Sequence, residues 1–164
     1  MAIINYIQNQ SVENIQISPF FIFQDLIEFQ NYKFRSIYVF LEALKISDEK
    51  KRQDLLKTYQ EVEAIKELYR IQDDSKQLNY SKAFNKKSIS KIIFNNEELE
   101  VESLEFEIFL NNVFKIVAAN SLAFKYSLLN SKKDINEFPE LDQYTSLGYL
   151  NSDRYWKILR NVAL

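Results

Sequence analysis

The fold turns on residues 31 to 45, "NYKFRSIYVFLEALK", where one pattern gives way to another. The stretch reads as a short exposed strand running into a helix that carries a lysine at its far end. From Ser36 onward, Val39, Phe40, Ala43 and Leu44 fall on one face at helical spacing, and Ser36 is the expected N-cap. Upstream, residues 15 to 29, "IQISPFFIFQDLIEF", are dense in aromatic and β-branched side chains. They predict two short strands with an edge or bend at Pro19, because proline cannot donate to a ladder.

Downstream the pattern is mostly helical. Ser47, Asp48 and Glu49 mark a second helix start, with acidic residues at the positive end of its dipole. Thr58 and Glu61, spaced as T-x-x-E, predict a capping box for a third helix reaching about Arg70. The polar residues 71 to 88 read as a loop, and "KIIFNNEELEV" reads as a hairpin about an Asn-Asn turn. From Ser103 a longer helix is expected, its apolar stripe made by Phe106, Leu110, Val113, Phe114 and Val117. Helix is expected to continue from Ser121 to Leu129, followed by a polar linker with Asp134, Glu137 and Pro139. A last helix starts near Ser152 with Trp156, Leu159 and Val162 on one face. The reading is α+β, a mainly helical single domain over residues 1–164 with a few short strands and no internal repeat or heptad seam.

Composition narrows the chemistry. A chain of 164 residues, 46% hydrophobic, should bury roughly 70% of the surface its unfolded form exposes. It holds no cysteine and no histidine, which removes thiolate nucleophiles, imidazole bases, disulfides and ordinary zinc sites. Catalysis would rest on Asp, Glu, Lys, Arg, Tyr, Ser or Thr. Gly148 is the only glycine, and Pro19 and Pro139 are the only prolines, so Gly-rich phosphate loops are excluded. The bias toward Asn, Ile, Lys, Phe and Tyr is that of an AT-rich genome. A net charge of −2 supplies no general attraction for phosphates, so a nucleic-acid partner is not expected. The start "MAIINYIQNQ" lacks a signal peptide's basic residues and long apolar run, and no later stretch approaches membrane-spanning length. The expectation is a cytoplasmic protein with no membrane, metal or cofactor partner.

Few residues stand out as chemistry. Glu42 and Lys45 are three apart on one helix, so they meet either as an ordinary surface ion pair or as an acid and a base of a site. Asp73 and Asp74 read as loop acids with no EF-hand spacing around them. The run "RQDLLKTYQEVEAIKELYR" mixes charge signs as a solvated face does. Tyr155 and Trp156 offer stacking surfaces, although a lone Trp in an amphipathic helix is more often a core anchor.

The opening stretch resembles the signature of the NADAR family, whose motif runs roughly Y-P-S/T-V-E-H-x-Y-Q-A-x-K. Phe34 stands at the aromatic position, Ser36 at the Ser/Thr, Ile37 at the Val, Ala43 at the Ala and Lys45 at the Lys. Residues 61–70, "EVEAIKELYR", 115–130, "KIVAANSLAFKYSLLN", and 151–162, "NSDRYWKILRNV", are similar to later family segments in order and spacing. The resemblance implies N-glycosidase chemistry on ribosyl bonds of riboflavin-pathway intermediates or ADP-ribosylated nucleotides. The departures fall at the chemistry: the motif glutamate maps to Tyr38, the histidine to Val39 and the glutamine to Glu42. Cleavage through an oxocarbenium-like state needs a carboxylate beside the reacting carbon, and Tyr38 cannot replace its charge.

Three expectations follow from these residues. The first is a degenerate NADAR-like scaffold that no longer turns over substrate and acts as a binding or inhibitory protein. Its partner would be a protein or a nucleotide-like ligand, and a phage or mobile element would be its source. The second is a working N-glycosidase in which Glu42 and Lys45 are catalytic while Ser36, Tyr38, Arg70 and Trp156 hold the ligand. The third is a structural subunit of a larger assembly, marked by an exposed apolar patch.

Overall fold

The computed structural model describes residues 16–74, 89–130, 150 and 152–163. Among them the chain forms β1 (Ile27–Phe29), β2 (Tyr32–Phe34), α1 (Ile37–Leu44), α2 (Glu49–Thr58) and α3 (Val62–Asp74). It continues with β3 (Lys91–Phe94), β4 (Glu97–Glu100), α4 (Leu104–Asn120), α5 (Leu122–Asn130) and α6 (Ser152–Ala163). The architecture is α+β and mainly helical, with two separate two-stranded antiparallel sheets.

Both hairpins close on two-residue turns that need positive φ. Gln30 has φ 55° between β1 and β2, and Phe29 pairs with Tyr32 across that turn. Asn95 and Asn96 have φ 52° and 65° between β3 and β4, and Phe94 pairs with Glu97. Asparagine enters this region more readily than most residues, which is why the Asn-Asn pair was a legible turn. On β1 and β2 the inward set is Ile27, Phe29, Tyr32 and Phe34, and on β3 it is Ile92 and Phe94. The two hairpins meet through aromatic rings: Tyr32 and Phe94 are 5.5 Å apart, and Phe94 and Phe109 of α4 are 4.8 Å apart.

Helix α1 is enclosed. All eight of its residues are buried, and it packs on α2, β2 and β3. A helix that is apolar nearly all round belongs inside a fold rather than on its surface. The stripe expected on α4 is wholly buried, and Ser103 caps that helix by accepting from the Phe106 N–H at 3.1 Å. Helix α6 lies against α4 and α5, and its Tyr155 hydroxyl donates to the Ile17 carbonyl at 2.8 Å, joining the two ends of the described chain.

Four local expectations are corrected. Around Pro19 there is a turn and no strand: Ser18 Oγ accepts from the Phe20 N–H at 3.2 Å, and Phe20 and Phe23 enter the core as plugs. Thr58 does not open a capping box. It ends α2, its hydroxyl donating to the Asp54 carbonyl at 2.9 Å, and α3 starts at Val62. Helix α3 continues to Asp74, so residues 71 to 74 are helical and Asp73 and Asp74 are not loop acids. The helix after α4 is separate from it, because Ser121 has extended backbone (φ −128°, ψ 108°) and starts a new N-terminus by accepting from the Phe124 N–H at 3.2 Å. The expected linker with Asp134, Glu137 and Pro139 lies outside the described residues.

The buried side chains from Ile17 to Leu159 form one cluster fed by every helix and by both hairpins. Among the described residues no helix is long and apolar enough to cross a membrane.

Candidate functional site

The motif residues of α1 divide into two groups. At its N-terminal end, Ser36 occupies the N-cap position with extended backbone, yet its hydroxyl makes no capping bond. Ser36 Oγ instead lies 3.2 Å from the Pro19 carbonyl and 3.0 Å from the Tyr69 hydroxyl, while Tyr69 donates to the Phe20 carbonyl at 2.8 Å. Two hydroxyl protons serve three contacts here, so one contact is unmade at any moment. Burial pushes the Tyr69 hydroxyl well above the usual phenol range, with the Ser36 hydrogen bond opposing that rise. The Tyr38 ring packs 4.8 Å from Phe20 and 6.2 Å from Tyr69, and its backbone N–H donates to the Pro19 carbonyl at 2.8 Å. Tyr38 is therefore part of an aromatic core.

At the C-terminal end of α1, Lys45 Nζ lies 3.2 Å from Glu42 Oε2, with side chains only 4% and 1% exposed. The pairing was expected from the spacing, as an ordinary surface ion pair or as part of a site, and the structure buries it. A buried ion pair gains Coulomb energy in low dielectric at the cost of two desolvated charges, so its partners are held to one another. With so little exposure, neither side chain offers a reacting atom to a solute.

The remaining expected ligand residues are not at this end of α1. Arg70 lies on the exposed side of α3, paired with Glu67 through Nε at 3.0 Å, and that pair holds the Glu67 carboxyl below its ordinary range. Trp156 is 6% exposed, lies beneath the Arg160 guanidinium at 5.4 Å, and belongs to α6, which packs on α4 and α5. The structure thus brings Ser36 and Tyr38 together with Tyr69, and Glu42 together with Lys45. Among the described residues no group of three acids is placed to hold a metal.

The sequence reading missed the arginines. Arg52, expected on a solvated face, is 1% exposed. Its Nε donates to the carbonyls of Ala43 (3.2 Å) and Ile46 (2.9 Å), and its Nη2 to those of Leu44 (3.2 Å) and Ile93 (2.7 Å). Its Nη1 donates to the Tyr32 hydroxyl at 3.2 Å, and Tyr32 donates in turn to Glu49 Oε2 at 2.7 Å. The guanidinium satisfies the carbonyl end of α1 and ties it to β3, a task its planar fork suits. Burial raises the Tyr32 hydroxyl above its ordinary value, Arg52 working against that rise and Glu49 with it. Arg35 likewise donates to Gln60 (2.8 Å), Phe23 (3.0 Å) and Gln24 carbonyls, and Arg154 to the Val101 and Ser103 carbonyls. One signal in the sequence pointed to Arg52: it stands four residues before Leu56, at the spacing that puts both on the buried side of α2.

Compared with family models, curated proteins and solved structures, the chain matches none.

Proposed function

We propose that this protein is a non-catalytic binding protein, with inhibition of a protein partner as its expected effect, on a scaffold that resembles the NADAR family at residues 34 to 45. One observation carries the reading: the acid position of the motif is Tyr38, packed between Phe20 and Tyr69, while Glu42 and Lys45 neutralise one another out of reach of solvent. Glycosidic cleavage needs a carboxylate against the sugar carbon, and a group 1% exposed has no room for one. The exposed apolar side chains of α4 and α5, Leu104, Ile108, Leu122, Tyr126 and Leu129, favour a protein partner over a nucleotide and are also the mark expected of a subunit of a larger assembly.

The test is direct. Incubation with ADP-ribosylated nucleotides and with ribosylaminopyrimidine intermediates, followed by chromatography for free base, should release none. Base release that Glu42→Gln abolishes would establish the N-glycosidase reading instead.

A further inference from the structure

Helix α5 is apolar on two opposite faces. Phe124, Ser127 and Leu128 are turned to the core, whereas Leu122, Tyr126 and Leu129 form a second stripe at i, i+4 and i+7 on the far side. These three are 85%, 63% and 61% exposed, although a helix apolar on both sides is ordinarily covered on both. Lys125, exposed, stands three residues after Leu122 and four before Leu129, so it lies along the stripe. Helix α5 holds this one lysine and no acid.

The other end of α4 has the opposite character. From Glu97 to Glu107 the sequence holds six glutamates and no basic residue, and in the structure Glu98 pairs with Lys91 and Glu107 with Arg154 and Lys157, so the excess acid lies on the others. Glu97, Glu98, Glu100, Glu102 and Glu105 are exposed. Among them Leu104 and Ile108, one turn apart and turned away from the buried stripe of α4, are 67% and 50% exposed, with Glu105 beside both. Twelve residues of α4 follow Ile108, about 18 Å at 1.5 Å per residue, before α5 begins with its lysine-bearing stripe.

We infer that the two patches fit each other between copies: Leu104, Glu105 and Ile108 of one molecule dock on Leu122, Lys125, Tyr126 and Leu129 of the next. This rests on the protein-binding reading above and names the occupant of that surface as a second copy of this chain. Pairing α5 with α5 about a two-fold axis would set Lys125 near its own image, whereas the head-to-tail arrangement places carboxylate against ammonium. Two copies can exchange the contact in both directions and close as a two-fold dimer, or each can pass it to the next copy and the assembly extends with concentration. With so few side chains it is smaller than a standard interface, hence weak and readily reversed.

Sedimentation of the full chain from micromolar to millimolar concentration should show the mean mass rising above that of the monomer, and high salt should suppress the rise. The double variants Leu104→Ser/Ile108→Ser and Leu122→Ser/Leu129→Ser should each remain monomeric, and their mixture should form a one-to-one dimer and nothing larger. A monomer at every concentration would overturn the contact, as would a dimer that persists in Leu104→Ser/Ile108→Ser, which would mean pairing of α5 with itself. A monomer that also releases no base removes this contact and leaves the non-catalytic reading standing. Self-association together with base release does the reverse.

Discussion

Lys45 Nζ sits 3.2 Å from Glu42 Oε2 inside the core, so the best-placed acid and base of the family-like motif are spent on each other. Removing one partner takes the opposite charge away from the other in a site that water scarcely reaches. Glu42→Gln and Lys45→Met are each expected to cost about 3–5 kcal/mol, measured by urea denaturation, whereas the double change to apolar residues should cost far less than their sum. Single losses that simply add in the double variant would mean the two charges are not coupled.

Arg52 is a further buried charge, and its role is to complete the carbonyl end of α1. Arg52→Lys should not rescue it, because a lysine's three donors on a point charge cannot span the carbonyls of Ala43, Leu44, Ile46 and Ile93. A loss of about 3 kcal/mol or more is expected for either Arg52→Lys or Arg52→Ala. Hydrogen exchange should locate the change: amides of the β3–β4 hairpin should lose protection along with those of α2, since the Ile93 bond crosses between them. A hairpin that keeps full protection would contradict this.

Tyr69 makes stability sensitive to alkali. Its folded hydroxyl titrates above the ordinary phenol value because it is buried, so the unfolded chain gives up this proton first. The contribution is complete below about pH 10 and declines above it, by about 1.4 kcal/mol per pH unit, until the folded hydroxyl itself ionises. Other groups titrate in the same range, so the informative quantity is the difference from Tyr69→Phe. That variant should lose stability at neutral pH, through its missing bond to the Phe20 carbonyl, and should converge on the parent as pH rises past 10. Parallel curves from pH 8 to 11 would place the effect elsewhere.

Gln30 carries strain that can be relieved. It holds φ 55° in the β1–β2 turn, a region where a side chain costs roughly 1 kcal/mol and glycine costs little. Gln30→Gly should raise the melting temperature by about 2–4 °C, while Gln30→Val should lower it. The bond lost with the side chain, from Asn95 Nδ2 at 3.0 Å, is solvent-exposed and subtracts little.

Much of the fold was legible where a local rule suffices. The α4 stripe at Phe106, Leu110, Val113, Phe114 and Val117 follows from helical period, and the Asn95–Asn96 turn follows from backbone chemistry. The aromatic run about Pro19 was not legible, because side chains that fill a core from a turn have the same composition as those that line a strand. At the candidate site the sequence brought Glu42 to Lys45 but placed the pair on the surface. Spacing fixes which residues of a helix meet and says nothing about what covers them.

The sequence by itself determined the mainly helical α+β class and the exclusion of thiol, imidazole and Gly-loop chemistry. Only tertiary structure decided that α1 is enclosed on all sides, that Arg52 caps it from another helix, and that the most exposed large apolar side chains among the described residues lie on α4 and α5. Burial is a property of several segments together. Contacts such as Arg52 with Ile93, 41 residues apart, are made by packing and have no trace in any single stretch.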